Sequence, residues 1–578
     1  MRKAREQDSH HVNKWTKFRL FMIIFIAFTA VTFEIIYAYH SGKLKSDVQD
    51  VELEIDEYGG WVNYPTELGT PTATGFFSVQ KLNDRWWIVD PIGNPYILKG
   101  MCCVTYTNYT LTADPDDFSR KNMYSSKSDW AKDASELLKT WGFNNLGEWS
   151  DGILHSPIHN LSYFHAVSVT GCMDVYNEDI TGTNTADYFD PLFNATTKDY
   201  IRNQVEPHKD NPLLIGWFCD GELFWGQDWR SEETLIQNYF MKEIDAPGRI
   251  YLLNWLGNRT GTIENFNEIW GTEIGAWSEI TNLDYDDFTP ENDMAQLVSD
   301  EWAQLCVERY HNVSTHWIRK YDSNHLVFGT RYADLPSNHI LNGTSKFVDA
   351  IAHSGYRWEP RIDRMDEIMP KLDCPMIFHE FAWKSMESLQ ANSLSAGAPV
   401  TFTEAQRSLG YYYFVEKFMR RPYALGFAYF SWRNWEAEWF LDGEGIGFLT
   451  YSGIPYYKYA AMASNVNKML EFWHMEGGTE VAIKVFPTSG YVYIGAAIFA
   501  AFFNVGNQWF WNVHGDQISQ KFHKYKIESR KGKTLFKIVK TIFFVVFDFC
   551  LLVAFFVPIF FYFWLGPLEP KSLFLNLF

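Results

Sequence analysis

Between residues 97 and 433 the chain repeats one pattern, a short apolar run followed by a more polar stretch. The runs are 97–106, 143–149, 164–170, 213–222, 326–332, 348–356, 375–381 and 425–433. They are largely continuous in their apolar character rather than alternating, as expected of strands buried on both faces of a parallel sheet. Stretches 129–141, 293–321 and 403–421 between them are long enough for helices. Eight β runs separated by α stretches predict an α/β fold, a (β/α)₈ TIM barrel. A doubly wound sheet is the alternative, but the chain carries neither GxGxxG nor a phosphate loop to favour it. Ahead of the first run, residues 76–81 and 85–89 flank a Leu-Asn-Asp turn, which predicts an N-terminal β-hairpin extension.

Three further apolar segments lie outside this repeat, at 20–39, 491–511 and 541–565. The first follows six Lys/Arg and two acids, a local charge of +4, and residues 514–540 carry +6. Basic clusters beside apolar segments predict cytosolic flanks and membrane spans. The expected organisation is a cytosolic basic tail (1–19), a signal-anchor transmembrane helix (20–39) and a luminal stem (40–74). The (β/α)₈ barrel (75–480) follows, then a transmembrane helix (491–513), a cytosolic basic loop (514–540), another transmembrane helix (541–565) and a luminal tail (566–578). The lipid bilayer is thus an expected partner of a multi-pass chain whose barrel faces the lumen or the outside. Sequons at Asn108, Asn160, Asn194, Asn258, Asn312 and Asn342 all fall on that side and are candidate glycosylation sites.

Composition narrows the class. Of the 578 residues, 18% are aromatic, with 24 Trp, and the net charge is −20. Setting the two basic clusters aside leaves −30 on the remainder, which argues against nucleic acid as a partner. Trp and Tyr present flat apolar faces with a polar handle, suited to stacking on sugar rings and equally to filling a large core. The seven cysteines show no CxxC and no Cys/His metal spacing, so no metal and no cofactor is expected.

The candidate chemistry lies where the apolar runs end. The fourth run closes on Asp220-Gly-Glu222 and the seventh on His379-Glu380. In a (β/α)₈ barrel the C-terminal strand ends build the active site. Two carboxyls facing each other across that mouth can cleave a glycosidic bond, one donating a proton and the other attacking. His379 precedes the second carboxylate and reads as packing. The other candidate substrate-binding groups at or near the strand ends are Asn145, Glu148, Trp225, Arg331, Tyr356, Trp383 and Trp432. Among them Trp432 is a stacking platform, Tyr356 a hydroxyl donor to Glu380, Arg331 an orienting group, and Trp225 and Trp383 cleft walls.

These motifs resemble clan GH-A glycoside hydrolases, and specifically glycoside hydrolase family 50, the β-agarases. The likeness runs from about residue 75 to 473. It includes Trp86-Trp87-Ile-Val-Asp90-Pro91, Trp141-Gly-Phe-Asn-Asn-Leu-Gly-Glu148-Trp149, Ile215-Gly-Trp-Phe-Cys-Asp-Gly-Glu222-Leu-Phe-Trp225-Gly, Gly329-Thr-Arg331-Tyr332 and Gly426-Phe-Ala-Tyr-Phe-Ser-Trp432. The resemblance implies Glu222 as acid/base and Glu380 as nucleophile of a retaining enzyme acting on a β-linked polysaccharide or glycan. Two positions depart from it. Gly221 stands where the family has an Asn that bonds the sugar 2-hydroxyl, and Glu148 stands where the agarases usually carry Asn. A carbohydrate-binding pseudoenzyme and a membrane scaffold in polysaccharide synthesis or export remain as alternatives.

Overall fold

Eight of the strands close into a barrel in the order expected from the apolar runs. The computed structural model describes residues 31–106, 124–171, 185–387, 398–434, 445–450 and 452–478, all within one compact unit, Ala30–Gly478. Strands β1 (Ser78–Leu82), β2 (Arg85–Val89) and β3 (Pro95–Tyr96) form a small antiparallel sheet. The barrel strands are β4 (Leu98–Met101), β5 (Asn145–Leu146), β6 (Ser162–Val167), β7 (Leu214–Gly221), β8 (Leu326–Tyr332), β9 (Ile351–His353), β10 (Met376–His379) and β13 (Ala424–Tyr429). Each pairs in parallel with the next, and β13 closes the ring on β4. A two-residue pair, β11 (Lys384–Ser385) and β12 (Val400–Thr401), lies outside the barrel.

The physical reasons are local. Strand β8 is buried at every position and β7 at all but Gly221, because each faces the barrel interior on one side and helices on the other. The β1–β2 turn places Asn83 at φ 49° and Asp84 at φ 60°, the double left-handed conformation of a type I′ hairpin. Phe77, just ahead of β1, and Ile88 and Tyr96 of that sheet join Leu98, Ile215, Leu326, Ala350 and Leu425 in one buried cluster. Those barrel residues lie at or just before their strand N-termini, so the hairpin sheet plugs that end and leaves the C-terminal ends for chemistry. Three of the helices between barrel strands begin at side-chain caps: Ser126 before Lys127–Thr140, Asn292 before Asp293–Tyr321 and Thr403 before Glu404–Met419.

The membrane expectation is corrected. Among the described residues, no helix is long and apolar enough to cross a membrane. Residues 31–50 form a helix that includes the second half of the expected 20–39 anchor. That helix is tied to the barrel domain: Glu34 pairs with Lys458 Nζ at 2.6 Å, the Tyr37 hydroxyl donates to the Lys458 carbonyl, and His40 and Leu44 are buried. It carries the charged residues Glu34, Lys43, Lys45, Asp47 and Asp50. Residues 20–30 and the expected spans 491–513 and 541–565 lie outside the described residues, as do the loop 514–540 and the tails. The multi-pass localisation is therefore not retained.

Candidate active site

Strand β8 delivers Arg331 into the barrel mouth, and three glutamates from other strand ends meet it. Arg331 Nη1 lies 2.7 Å from Glu222 Oε1 and 3.1 Å from Glu380 Oε1, while Nε lies 3.3 Å from Glu148 Oε2. The same Nη1 also donates to Ser354 Oγ at 2.7 Å. Glu380 Oε2 accepts from the Tyr356 hydroxyl at 2.9 Å. Of the groups singled out from the sequence, the structure brings Glu148, Glu222, Arg331, Tyr356 and Glu380 together at one locus, joined by Ser354, which the sequence did not point to.

Burial sets the electrostatics. The Glu380 side chain is 5% exposed and that of Glu222 17%. Loss of water pushes Glu380 up to about 8; Arg331 pulls it down, while Glu222 and Glu148 push it further up. Glu148 is also raised, first by burial, with Arg331 opposing. Arg331 is desolvated, yet the three carboxylates hold it charged and raise it above its ordinary value. Tyr356 is raised by burial and then by the charge of Glu380, so it remains a hydroxyl donor.

The strand ends are bent to present these groups. Asp220, Glu222 and Glu380 all adopt positive φ, at 61°, 53° and 78°. For L-residues this conformation is costly and persists only where surrounding contacts fix it. Asp220 anchors the turn rather than facing the mouth. It accepts from Thr170 N and Oγ1, Ser168 Oγ and the Tyr310 hydroxyl, and burial pushes it up to about 6. Gly221 gives Arg331 its room, since a Cβ there would stand 2.7 Å from Arg331 Nη2.

Other predicted groups fall elsewhere. Trp225 is buried among Tyr188, Tyr310, His311 and Tyr332. Trp383 is fully buried against Phe381 and Phe414. Trp432 is 2% exposed and packs on Trp141. Asn145 is buried and donates to Ser162 Oγ, which itself bonds the Tyr96 hydroxyl. Among the described residues, aromatics at the mouth include Trp149, 45% exposed with the Arg331 guanidinium 5.4 Å from its ring, and Phe430, edge-on to both Trp149 and Tyr356. Trp149 directly follows Glu148 and Phe430 directly follows β13, which is the signal that could have found them.

His379 packs against Phe164 and Phe218, and burial lowers it well below its ordinary value, so it is neutral. One potential ligand atom each from Glu148, His379 and Glu380 lies within 4.8 Å of the others, a spacing compatible with a metal ion. The Arg331 guanidinium already supplies positive charge to both glutamates of that set. Of the sequon asparagines, Asn160, Asn194, Asn258, Asn312 and Asn342 are exposed, and Asn108 lies outside the described residues.

The chain is similar to two β-agarases from Vibrio sp. (strain JT0107). It is 22% identical to β-agarase B over 71% of this chain and 49% of the relative, and 22% identical to β-agarase A over 68% and 45%. It therefore spans about half the length of those relatives. Among solved structures, an agarase aligns with TM-score 0.62 at 19% identity, covering 76% of this chain and 70% of the other. An exo-β-agarase aligns with TM-score 0.60 at 18% identity, covering 75% and 70%. No family model matches the chain. The fold is that of the agarase barrels, and the resemblance first seen in the strand-end motifs extends over the whole barrel.

Proposed function

We propose that this chain is a retaining glycoside hydrolase acting on a β-linked, agarose-type galactan, with Glu222 as acid/base and Glu380 as nucleophile. The observation that carries it is the convergence of both carboxylates on one nitrogen of Arg331. Their contacting oxygens can be no farther apart than those two short contacts placed end to end. That closeness favours the retaining arrangement, whose carboxyls stand roughly 5–5.5 Å apart, over the roughly 6.5–9.5 Å spacing of inverting enzymes. The likeness to β-agarases supports the substrate class.

In the first step a Glu380 oxygen attacks the anomeric carbon, the bond to the leaving oxygen breaks, and Glu222 gives that oxygen its proton. In the second, Glu222 takes a proton from water, whose oxygen attacks the same carbon and releases Glu380. Tyr356 and Arg331 hold Glu380 in its attacking orientation. Trp149 and Phe430 offer apolar faces to the sugar.

Separate variants test the roles. Glu380→Gln should abolish the glycosyl-enzyme. Glu222→Gln should spare the first step for an activated aryl galactoside, accumulate the intermediate, and regain turnover with azide and retained configuration. Wild-type activity in both variants, or inverted product, would overturn the proposal.

A further inference from the structure

Glu222 is held at both ends of its own backbone, and the second hold comes from a buried arginine outside the carboxylate cluster. Its N–H donates to the Arg331 carbonyl at 2.7 Å. Its carbonyl accepts from Arg230 Nη1 at 2.5 Å, and Arg230 Nη2 donates to the next carbonyl, that of Leu223, at 3.2 Å. Asp228 fixes the guanidinium in turn, with Oδ2 2.9 Å from Nε and 2.6 Å from Nη2, and Oδ1 accepting the Arg230 backbone N–H at 2.7 Å. The Arg230 side chain is 1% exposed and lies near the Phe224 and Trp229 rings.

We propose that Arg230, locked by Asp228, is the positioning residue that sets the aim of the acid/base carboxylate. The inference rests on Glu222 having that role. Two physical points favour it over a purely structural pair. An ion pair whose arginine is buried and whose aspartate is 23% exposed is a poor source of stability, because desolvation offsets most of the attraction. Glu222 also sits at φ 53°, a conformation it would leave unless its flanking peptides were fixed. Releasing the Glu222 carbonyl lets the peptide relax and swings the carboxylate away from the leaving oxygen. Glu380 is carried by another strand and keeps its place.

The test is leaving-group dependence. Arg230→Met should lower kcat/KM on agarose, whose leaving oxygen needs a proton, by at least about tenfold, within the range general acid catalysis contributes. The first step on a dinitrophenyl β-galactoside, which needs almost no protonation, should change less than about threefold. Arg230→Lys, which keeps a donor, should fall between, and Asp228→Asn should repeat the Arg230→Met pattern more weakly. Equal losses on both substrates in the Met, Lys and Asn variants, or no loss in any, would overturn the inference. Glu222→Gln run in parallel separates the two readings. If it shows no leaving-group dependence, the acid/base assignment itself fails and the positioning role fails with it. If it shows that dependence and Arg230→Met does not, only the positioning role fails.

Discussion

Removing the positive charge of Arg331 should move the pH dependence of catalysis more than it harms the fold. Arg331 Nη1 is 3.1 Å from the Glu380 carboxylate. At that distance and an effective dielectric near 20, one pair of charges interacts by about 5 kcal/mol. Each pKa unit is about 1.4 kcal/mol, so the ceiling on the shift is roughly four units. Water entering the space left by the side chain cuts this, and we expect one to two units. Burial already pushes Glu380 up to about 8. At neutral pH most of it is protonated, and each further unit removes about nine-tenths of the ionised nucleophile that remains. Arg331→Gln should therefore lose on the order of 10- to 100-fold in kcat/KM at pH 7 and recover part of it as pH rises. Arg331→Lys keeps the charge and should hold the acidic limb near its wild-type position. The assay is the pH profile of aryl galactoside cleavage, with circular dichroism confirming the fold. The observed limb belongs to the coupled glutamates as a set rather than to one residue. A folded Arg331→Gln protein whose acidic limb stays put or moves to lower pH would refute the reasoning.

Three further outcomes follow from other contacts. Gly221→Asn brings a Cβ to 2.7 Å from Arg331 Nη2, so kcat should fall about tenfold, checked by steady-state kinetics on agarose. Lys99 and Glu471 form a buried pair at 2.6 Å, so Lys99→Met should cost about 3–5 kcal/mol in denaturant unfolding, and adding Glu471→Leu should restore most of it. Burial, and then the neighbouring Asp56, push Asp90 up to about 7. The folded state thus holds a proton that the unfolded chain releases near 3.8; this stabilisation is complete at low pH and is lost as pH rises through 7. Thermal melts from pH 5 to 9 should show that decline in the wild type and a flatter curve in Asp90→Asn.

The barrel was legible because parallel strands buried on both faces appear as continuous apolar runs. All eight runs contain or overlap their strands, and residues 293–321 coincide with the helix Asp293–Tyr321. The carboxylates were legible because each interrupts such a run at its end. The failures are of another kind. Trp225 and Trp383 follow Glu222 and Glu380 by three residues, but beyond a strand end the alternation of faces no longer applies, and both turn into aromatic clusters. The same loss of alternation after β13 sends Trp432 inward and leaves Phe430 beside Tyr356. The Arg230 contact joins two positions of one irregular loop, where no periodicity announces it. Residues 31–39 read as part of a membrane span because apolar content alone does not distinguish a lipid-facing helix from one docked on protein.

Glu148, the apparent departure from the agarase pattern, also makes electrostatic sense under the proposed mechanism. Glycosidic cleavage passes through an oxocarbenium-like state that carries positive charge at the anomeric carbon. Three carboxylates around one guanidinium leave the mouth negative whenever Glu148 and Glu380 are both ionised, even with a proton on Glu222, so the reactive form of the site is polarised before substrate arrives. Preorganised charge of this kind lowers the barrier without reorganising during the reaction. Its cost is that the same crowding raises Glu380 toward protonation, and Arg331 is what keeps that cost tolerable. Gly221 fits the same logic, because a side chain there would press on the one cation that all three glutamates share. The two departures are therefore coupled through Arg331: the added acid needs the guanidinium close, and the guanidinium needs the space beside Glu222 to stay empty.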